Sequence, residues 1–241
     1  MHRYFAVIPA RKNSKGIKHK NLQKIGQKPM LQYTFDAALG SGALDFIILS
    51  SDDPDAISLA SQSGIHAPFN RPAILSQDNS KSTDVFFHAL DWYQTEFSGY
   101  PDNIVVLQPT SPFRTGEDIN NAIHQYEKSK ADSLVSVCDL TQHPSDCITL
   151  DDRGRVTRVL LEVDKKKIGR QAYQQVYFID GGIYISSVQR FLQERTLFDN
   201  HSAISIINRS HAIDVDHPFD LEIARAMHAY KINCETELFN L

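Results

Sequence analysis

The chain predicts an α/β protein built on a doubly wound, mostly parallel sheet. Three observations carry that expectation. Residues 4–64 read as strand, helix, strand, helix, the rhythm of parallel strands joined by helical crossovers. Ile104-Val105-Val106-Leu107 reads as a central strand, and another helical pattern and the apolar run Ser133 to Val137 follow it. A dense basic loop directly follows the first strand, and the carboxyl ends of parallel strands are where such sheets bind ligands.

Each element has a local cause. Tyr4 to Ile8 is an apolar run that makes the first buried strand. The basic loop continues to Asn21. Pro29 then opens a helix with Leu31, Phe35, Ala38 and Leu39 on one face, closed by Gly40 and Gly42. Phe46 to Leu49 is a second strand, ending in Ser50-Ser51-Asp52-Asp53. Pro54 starts a helix that turns Ile57 and Ala60 inward and ends at Gly64. Asn70 to Lys81 is polar and irregular, a surface loop, and Ser82 or Thr83 suits the cap of the next helix. There Val85, Phe86, Ala89, Leu90 and Tyr93 recur at helical spacing.

The central strand breaks at Gln108-Pro109-Thr110-Ser111-Pro112-Phe113-Arg114, where two prolines prevent its continuation. A helix with Ile119, Ala122, Ile123 and Tyr126 inward follows. From Cys138 to Gln175 the pattern becomes an antiparallel excursion, with a hairpin turning at Asp151-Asp152-Arg153-Gly154. Gly182 to Ile185 returns to the sheet, and a short helix runs from Val188 to Arg195. Ala212 to Asp216 reads as a late strand, and a last helix begins near Pro218 with Leu221, Ala224 and Met227 on one side. The expectation is a single domain over 1–241 with 138–175 inserted.

Bulk properties narrow the function classes. The 241 residues suffice for a full core. A net charge of −4 makes the basic loop a local feature, so no nucleic acid partner is expected. Cys138, Cys147 and Cys234 are odd in number and lack metal-ligand spacing, which suggests reduced thiols and a cytoplasmic setting. Nothing approaches the roughly 20 apolar residues that cross a bilayer, so no membrane partner is expected either.

The chemistry-bearing candidates are few. The glycine-rich phosphate loops, the His-Glu-x-x-His zinc motif and the nucleophile elbow are all missing from the sequence. Arg11, Lys15 and Lys20, spaced by four and five residues, either converge on a triphosphate or form a solvated basic patch. Charge alone leaves both open. Asp214 and Asp216, two apart on an expected strand, would share one face. Two carboxylates that close favour a cation, and oxygen ligands suit Mg²⁺. The alternative is that Asp216 begins the turn into the last helix and Asp214 is merely exposed. Taken together, a cationic loop and a magnesium pair on one α/β sheet point to nucleotidyl or phosphoryl transfer.

Ile8-Pro9-Ala10-Arg11-Lys12-Asn13-Ser14-Lys15-Gly16-Ile17, with Lys20-Asn21, closely resembles the signature of the acylneuraminate cytidylyltransferases. The resemblance continues through Arg71-Pro72-Ala73, Leu75, Asp78 and Ser82, then Leu107 to Arg114, Arg170-Gln171, Gly182-Ile183-Tyr184 and Ile213 to Asp216. These blocks keep their order across nearly the whole chain. The resemblance implies a nucleotide-diphospho-sugar transferase-like fold, a homodimer, and activation of a nine-carbon 2-keto sugar acid with CTP. It implies that the 138–175 excursion is the dimerisation element. Arg11, Lys15 and Lys20 would hold the phosphates, and Asn21, Arg71, Ser80 and Ser82 the cytidine part. Gln108 would touch the acidic sugar, Arg170 would be a positive group near sugar or phosphate, and Asp214 and Asp216 would hold Mg²⁺. A magnesium-bound hydroxide or Asp214 would take the proton of the sugar hydroxyl.

Each residue has a plainer reading. Asn21 and Ser82 suit helix caps, Gln108 a strand end, Arg71 a pair with Asp78, and Arg170 a solvated surface. One departure concerns the substrate. Asp180-Gly181-Gly182-Ile183-Tyr184 stands where sialic acid enzymes usually show Asn-Gly-Ala-Ile-Tyr. An acceptor-only carboxylate replaces an amide. If Asp180 faces the sugar, a legionaminic or pseudaminic acid becomes plausible.

Overall fold

A computed structural model describes residues 2–140, 142–158 and 175–238. In chain order the strands and helices are β1 (Tyr4–Ala10), the two-residue strands β2 (Lys24–Ile25) and β3 (Lys28–Pro29), α1 (Met30–Ser41), β4 (Phe46–Ser51) and α2 (Pro54–Gln62). Then come α3 (Ser82–Phe97), β5 (Asn103–Leu107), α4 (Gly116–Ser129), β6 (Ser133–Asp139), and the short pair β7 (Ile148–Leu150) and β8 (Val156–Arg158). The chain continues with β9 (Tyr177–Ser187), α5 (Val188–Glu194), β10 (Ala203–Ile206) and α6 (Pro218–Leu238).

Six strands form one sheet in the order β10-β6-β9-β5-β1-β4. All run parallel except β9, which pairs antiparallel with both β5 and β6. The mostly parallel expectation holds, with one difference. The antiparallel direction expected of the excursion also enters the main sheet, because β9 is inserted between two parallel strands.

The sheet is covered on both faces, which is why its strands read as unbroken apolar runs. Successive side chains point to opposite faces. Tyr4, Ala6, Ile8 and Ala10 therefore pack with Leu31 and Phe35 of α1 and Ile119 of α4, while Phe5 and Val7 pack with Val85, Phe86 and Leu90 of α3 and Phe191 of α5. A third cluster gathers Ile17, Ile25, Met30, Phe113, Val215, Leu221 and Ala224. It seats the basic loop against α6. Burial of Ile17 alone is worth about 1.5–3 kcal/mol of anchoring.

Several local expectations change. Residues 212–216 form no strand. Val215 N–H donates to the Thr110 carbonyl at 2.8 Å, beyond the end of β5, and the apolar alternation there reflects packing in the third cluster. The strand beside β6 is instead β10, which the sequence reading passes over because it is four residues long and half exposed. Ser82 does not cap α3; Lys81 holds the cap position and Ser82 is the first helical residue. The hairpin at 151–154 is present, with Gly154 at φ 72° and Asp151 N–H donated to the Arg155 carbonyl. The rest of the expected 138–175 element, Arg170 included, lies partly outside the described residues.

Candidate active site

The basic loop is built as a cap over the carboxyl ends of β1 and β4. Lys12 N–H donates to Asp52 Oδ1 at 2.8 Å, tying the loop to the residue after β4. Asn21 Nδ2 donates to the Arg11 carbonyl at 3.0 Å and closes the loop on itself. His19 adopts the left-handed conformation at φ 50° to turn the chain into a single 3₁₀ turn over Lys20–Leu22. Asn21 thus lies within that turn, and its amide holds the loop.

Each of the three cations meets a carboxylate. Arg11 Nη1 lies 2.8 Å from Asp78 Oδ1, and Lys15 Nζ lies 3.8 Å from Asp78 Oδ2. Lys20 Nζ lies 2.7 Å from Asp216 Oδ1. The plainer reading that Arg71 pairs with Asp78 is therefore wrong. Arg71 is buried, donates through Nε to Ser50 Oγ at 3.1 Å and through Nη2 to the Ser50 carbonyl. Burial holds the Arg71 guanidinium down to about 10, against the favourable field of Asp52, so it stays charged at neutral pH.

Between this loop, the 70–82 loop and the start of α3 is a cleft of about 260 Å³. Arg11, Arg71, Ser80, Ser82 and Gln108 all line it, with Leu75, Val85 and Phe86 as its apolar floor. Five of the sequence-predicted residues, from three separate stretches, thus meet in one concavity. Ser80 Oγ also donates to the Ile74 carbonyl at 2.6 Å, which shapes the 70–82 loop. Lys15, Lys20, Asn21, Asp180, Asp214 and Asp216 do not line this cleft.

Asp214 and Asp216 differ in setting. Asp216 is exposed; Asp214 is half-buried and not merely exposed. Burial raises the Asp214 carboxyl above its ordinary value, the Thr110 hydroxyl opposes that, and the nearby charge of Asp216 adds to it. The Asp216 and His217 N–H groups both donate to Asp220 Oδ2, at 3.0 and 2.7 Å, so Asp216 also leads into α6. Among the described residues no group of three or more His, Cys, Asp or Glu side chains forms a metal cage. Two neighbouring carboxylates nonetheless match the donor set of Mg²⁺, which takes one or two carboxylates and completes its shell with phosphate and water.

Asp180 is buried, 2% exposed, and lies on β9. The Ser136 hydroxyl and the Gly182 N–H donate to its carboxylate, yet burial still holds its carboxyl above the ordinary value. Arg114 is 3% exposed and donates to the carbonyls of Gln108 and Gly182. The sequence reading missed Arg114, Asp78, Asp52 and Thr110 as site-supporting groups. Arg114, Thr110 and Asp78 stand inside the family-like blocks, but nothing in local spacing marks their partners.

The fold and site define an α/β protein with a mostly parallel sheet and with a cationic loop and a polar cleft at its strand ends. A family model described as "Cytidylyltransferase" matches residues 5–204, and the chain belongs to that family. The chain is 31% identical over 219 residues to the CMP-N,N'-diacetyllegionaminic acid synthase of Legionella pneumophila, covering 90% of this chain and 93% of that one. It is 29% identical over 230 residues to the pseudaminic acid cytidylyltransferase of Campylobacter jejuni, covering 95% and 97%. The solved structure of a CMP:2-keto-3-deoxy-manno-octonic acid synthetase complexed with CTP superposes with a TM-score of 0.69 at 17% identity, covering 95% of this chain and 99% of that one. That likeness concerns the fold.

Proposed function

We propose that this chain is a CTP-dependent cytidylyltransferase that activates a nine-carbon 2-keto sugar acid, of the sialic, legionaminic or pseudaminic type. The supporting observation is the single cleft that collects Arg11, Arg71, Ser80, Ser82 and Gln108 in a member of the cytidylyltransferase family. Relatives named for legionaminic and pseudaminic acids support the substrate class.

In this reading the oxygen of the anomeric hydroxyl forms a bond to the α-phosphorus of CTP and gives up its proton, for which the half-buried Asp214 carboxylate is the acceptor this chain supplies. The bond from that phosphorus to the bridging oxygen breaks, and pyrophosphate leaves with the electron pair. Arg11 and Lys15 exchange Asp78 for phosphate oxygens, and Lys20 faces the same charge from the other side of the loop. Arg71, Ser80 and Ser82 orient the nucleotide, and Gln108 faces the sugar. Asp214 and Asp216 hold Mg²⁺, which neutralises phosphate charge when bound. Positioning and charge neutralisation carry most of such catalysis.

The same reading makes the protein a homodimer. Ile148, Leu150 and Val156 on the β7–β8 hairpin and Tyr177, Phe178 and Ile179 at the start of β9 are exposed apolar side chains. Exposed apolar side chains of that kind support a covered interface. Free Cys138 and Cys147 support a reducing, cytoplasmic setting. No helix of the described residues is long and apolar enough to cross a membrane.

Pyrophosphate release with CTP and Mg²⁺ across a panel of nonulosonic acids tests the reaction. Turnover with one of them is expected, and GTP and UTP should give little. Turnover with GTP or UTP alone, or with none of the acids, would overturn the assignment. Sedimentation of a monomer at micromolar concentration would overturn the dimer.

A further inference from the structure

The β5–β9 ladder ends with Leu107 opposite Ile183. Continuing that antiparallel register would set Gln108 opposite Gly182. The two residues do not pair. Arg114 Nη1 stands between the strand ends and donates to both carbonyls, at 3.1 Å to Gln108 and 2.7 Å to Gly182. The Ser111 N–H also reaches the Gln108 carbonyl, at 3.4 Å. The backbone carbonyl of Gln108 is therefore pinned by Arg114 while the residue lines the cleft.

The far side of this clip is acidic. Burial lowers the Arg114 guanidinium to about 10, and the negative charges of Asp180 and Asp118 oppose that. A Cβ at Gly182 would lie 2.7 Å from Asp180 Oδ2 and 3.5 Å from Ser111 Oγ, so glycine leaves the space that the carboxylate fills. Arg114 Nε and Nη2, Asp180 Oδ1 and Ser111 Oγ are buried with no hydrogen-bond partner, donors and acceptors of opposite sign near one glycine. Burying a guanidinium and a carboxylate is costly unless each meets the other's field. A buried charge in such a place is more informative than a buried leucine.

We propose that Arg114, balanced by Asp180, is a positioning residue: it splays β5 from β9 and aims Gln108 at the acidic sugar. Asp180 thereby influences sugar selection from behind the cleft, through Arg114, and not by touching the substrate. The inference rests on the proposed reaction for its substrate readout, and on the geometry alone for its structural readout.

The test uses the full chain with Arg114→Met and Arg114→Lys, both checked by thermal melting. With CTP saturating, Arg114→Met should raise the KM for the sugar acid at least tenfold. Its KM for CTP should stay within twofold of wild type. Arg114→Lys keeps a donor and a charge, and should recover part of the sugar KM. Equal rises in both KM values, or an unchanged sugar KM, would overturn the proposal. Hydrogen exchange gives the second readout and remains decisive if Arg114→Met fails to fold. In Arg114→Lys the peptides covering 107–115 and 180–186 should exchange faster, with the 11–21 loop unchanged. Unchanged exchange in 107–115 overturns the positioning role whatever the substrate is. Absence of turnover by the wild-type protein overturns only the reaction.

Discussion

Gly16→Ala is the sharpest perturbation of the basic loop. A Cβ built on Gly16 lies 2.3 Å from the carbonyl oxygen of Asp216, whereas ordinary contact begins near 3.4 Å. The obstacle is backbone, so it cannot rotate away. The loop and the 214–217 segment must separate by roughly 1 Å, and they carry Lys15 and Lys20 on one side and the aspartate pair on the other. A misplacement of about 1 Å in a catalytic constellation costs on the order of 100-fold in rate, or about 2.7 kcal/mol of barrier. The overpacking itself costs about 1–3 kcal/mol, a Tm drop of roughly 2–12 °C for a chain this size. Continuous pyrophosphate detection at subsaturating CTP reads the first quantity and calorimetry the second. If Gly16→Ala keeps its rate within threefold and its Tm within a degree, the loop does not rest on Asp216 and the reasoning fails.

Other outcomes follow from single side chains. Lys15 is well exposed and only 3.8 Å from Asp78, a weak pair. Lys15→Ala should therefore leave Tm within a degree or two while kcat falls about 10²–10³-fold, with the sugar Kd by calorimetry within twofold; equal loss of both would remove its phosphate role. Tyr126 donates to Asn103 Oδ1 at 2.9 Å, and burial pushes its hydroxyl up to about 12, aided by Asp132 and opposed by Arg190. Its folded value exceeds the unfolded value near 10, so its contribution is intact below pH 10 and is lost as pH rises toward 12. Tyr126→Phe should lower Tm at neutral pH and flatten the fall between pH 10 and 12; a parallel fall in both proteins would contradict that. Cys147 is exposed, while burial, with the field of Asp180, pushes the Cys138 thiol up. Iodoacetamide should label Cys147 at least tenfold faster in the native protein, and peptide mapping that found Cys138 labelled first would refute its placement.

Much of the fold was legible because it rests on short windows. Pro29 before α1, Gly42 in the left-handed position after it, and Pro54 opening α2 are local effects that sequence spacing exposes. The two-sided burial of β1 and β5 shows directly as unbroken apolar runs. Local reading failed where an apolar pattern had more than one explanation. Ile213 and Val215 alternate as in a strand, yet they serve the cluster beneath the basic loop. Ser82 looked like a cap because serine suits that role, but the helix begins one residue earlier than that role requires.

The candidate site divides in the same way. Sequence by itself determined the cationic loop, the separate stretches that meet in the cleft, the aspartate pair and the family resemblance, all carried by residue type and order. Tertiary structure alone decided that Arg11 meets Asp78 across 67 positions and Lys20 meets Asp216 across 196. It also decided that Gly16 must be glycine against a distant carbonyl, and that Asp180 turns inward to a buried arginine. The reason is physical. Helix and strand periods are set by neighbours a few residues away, whereas charge pairing and close packing depend on which strand ends the sheet order brings together.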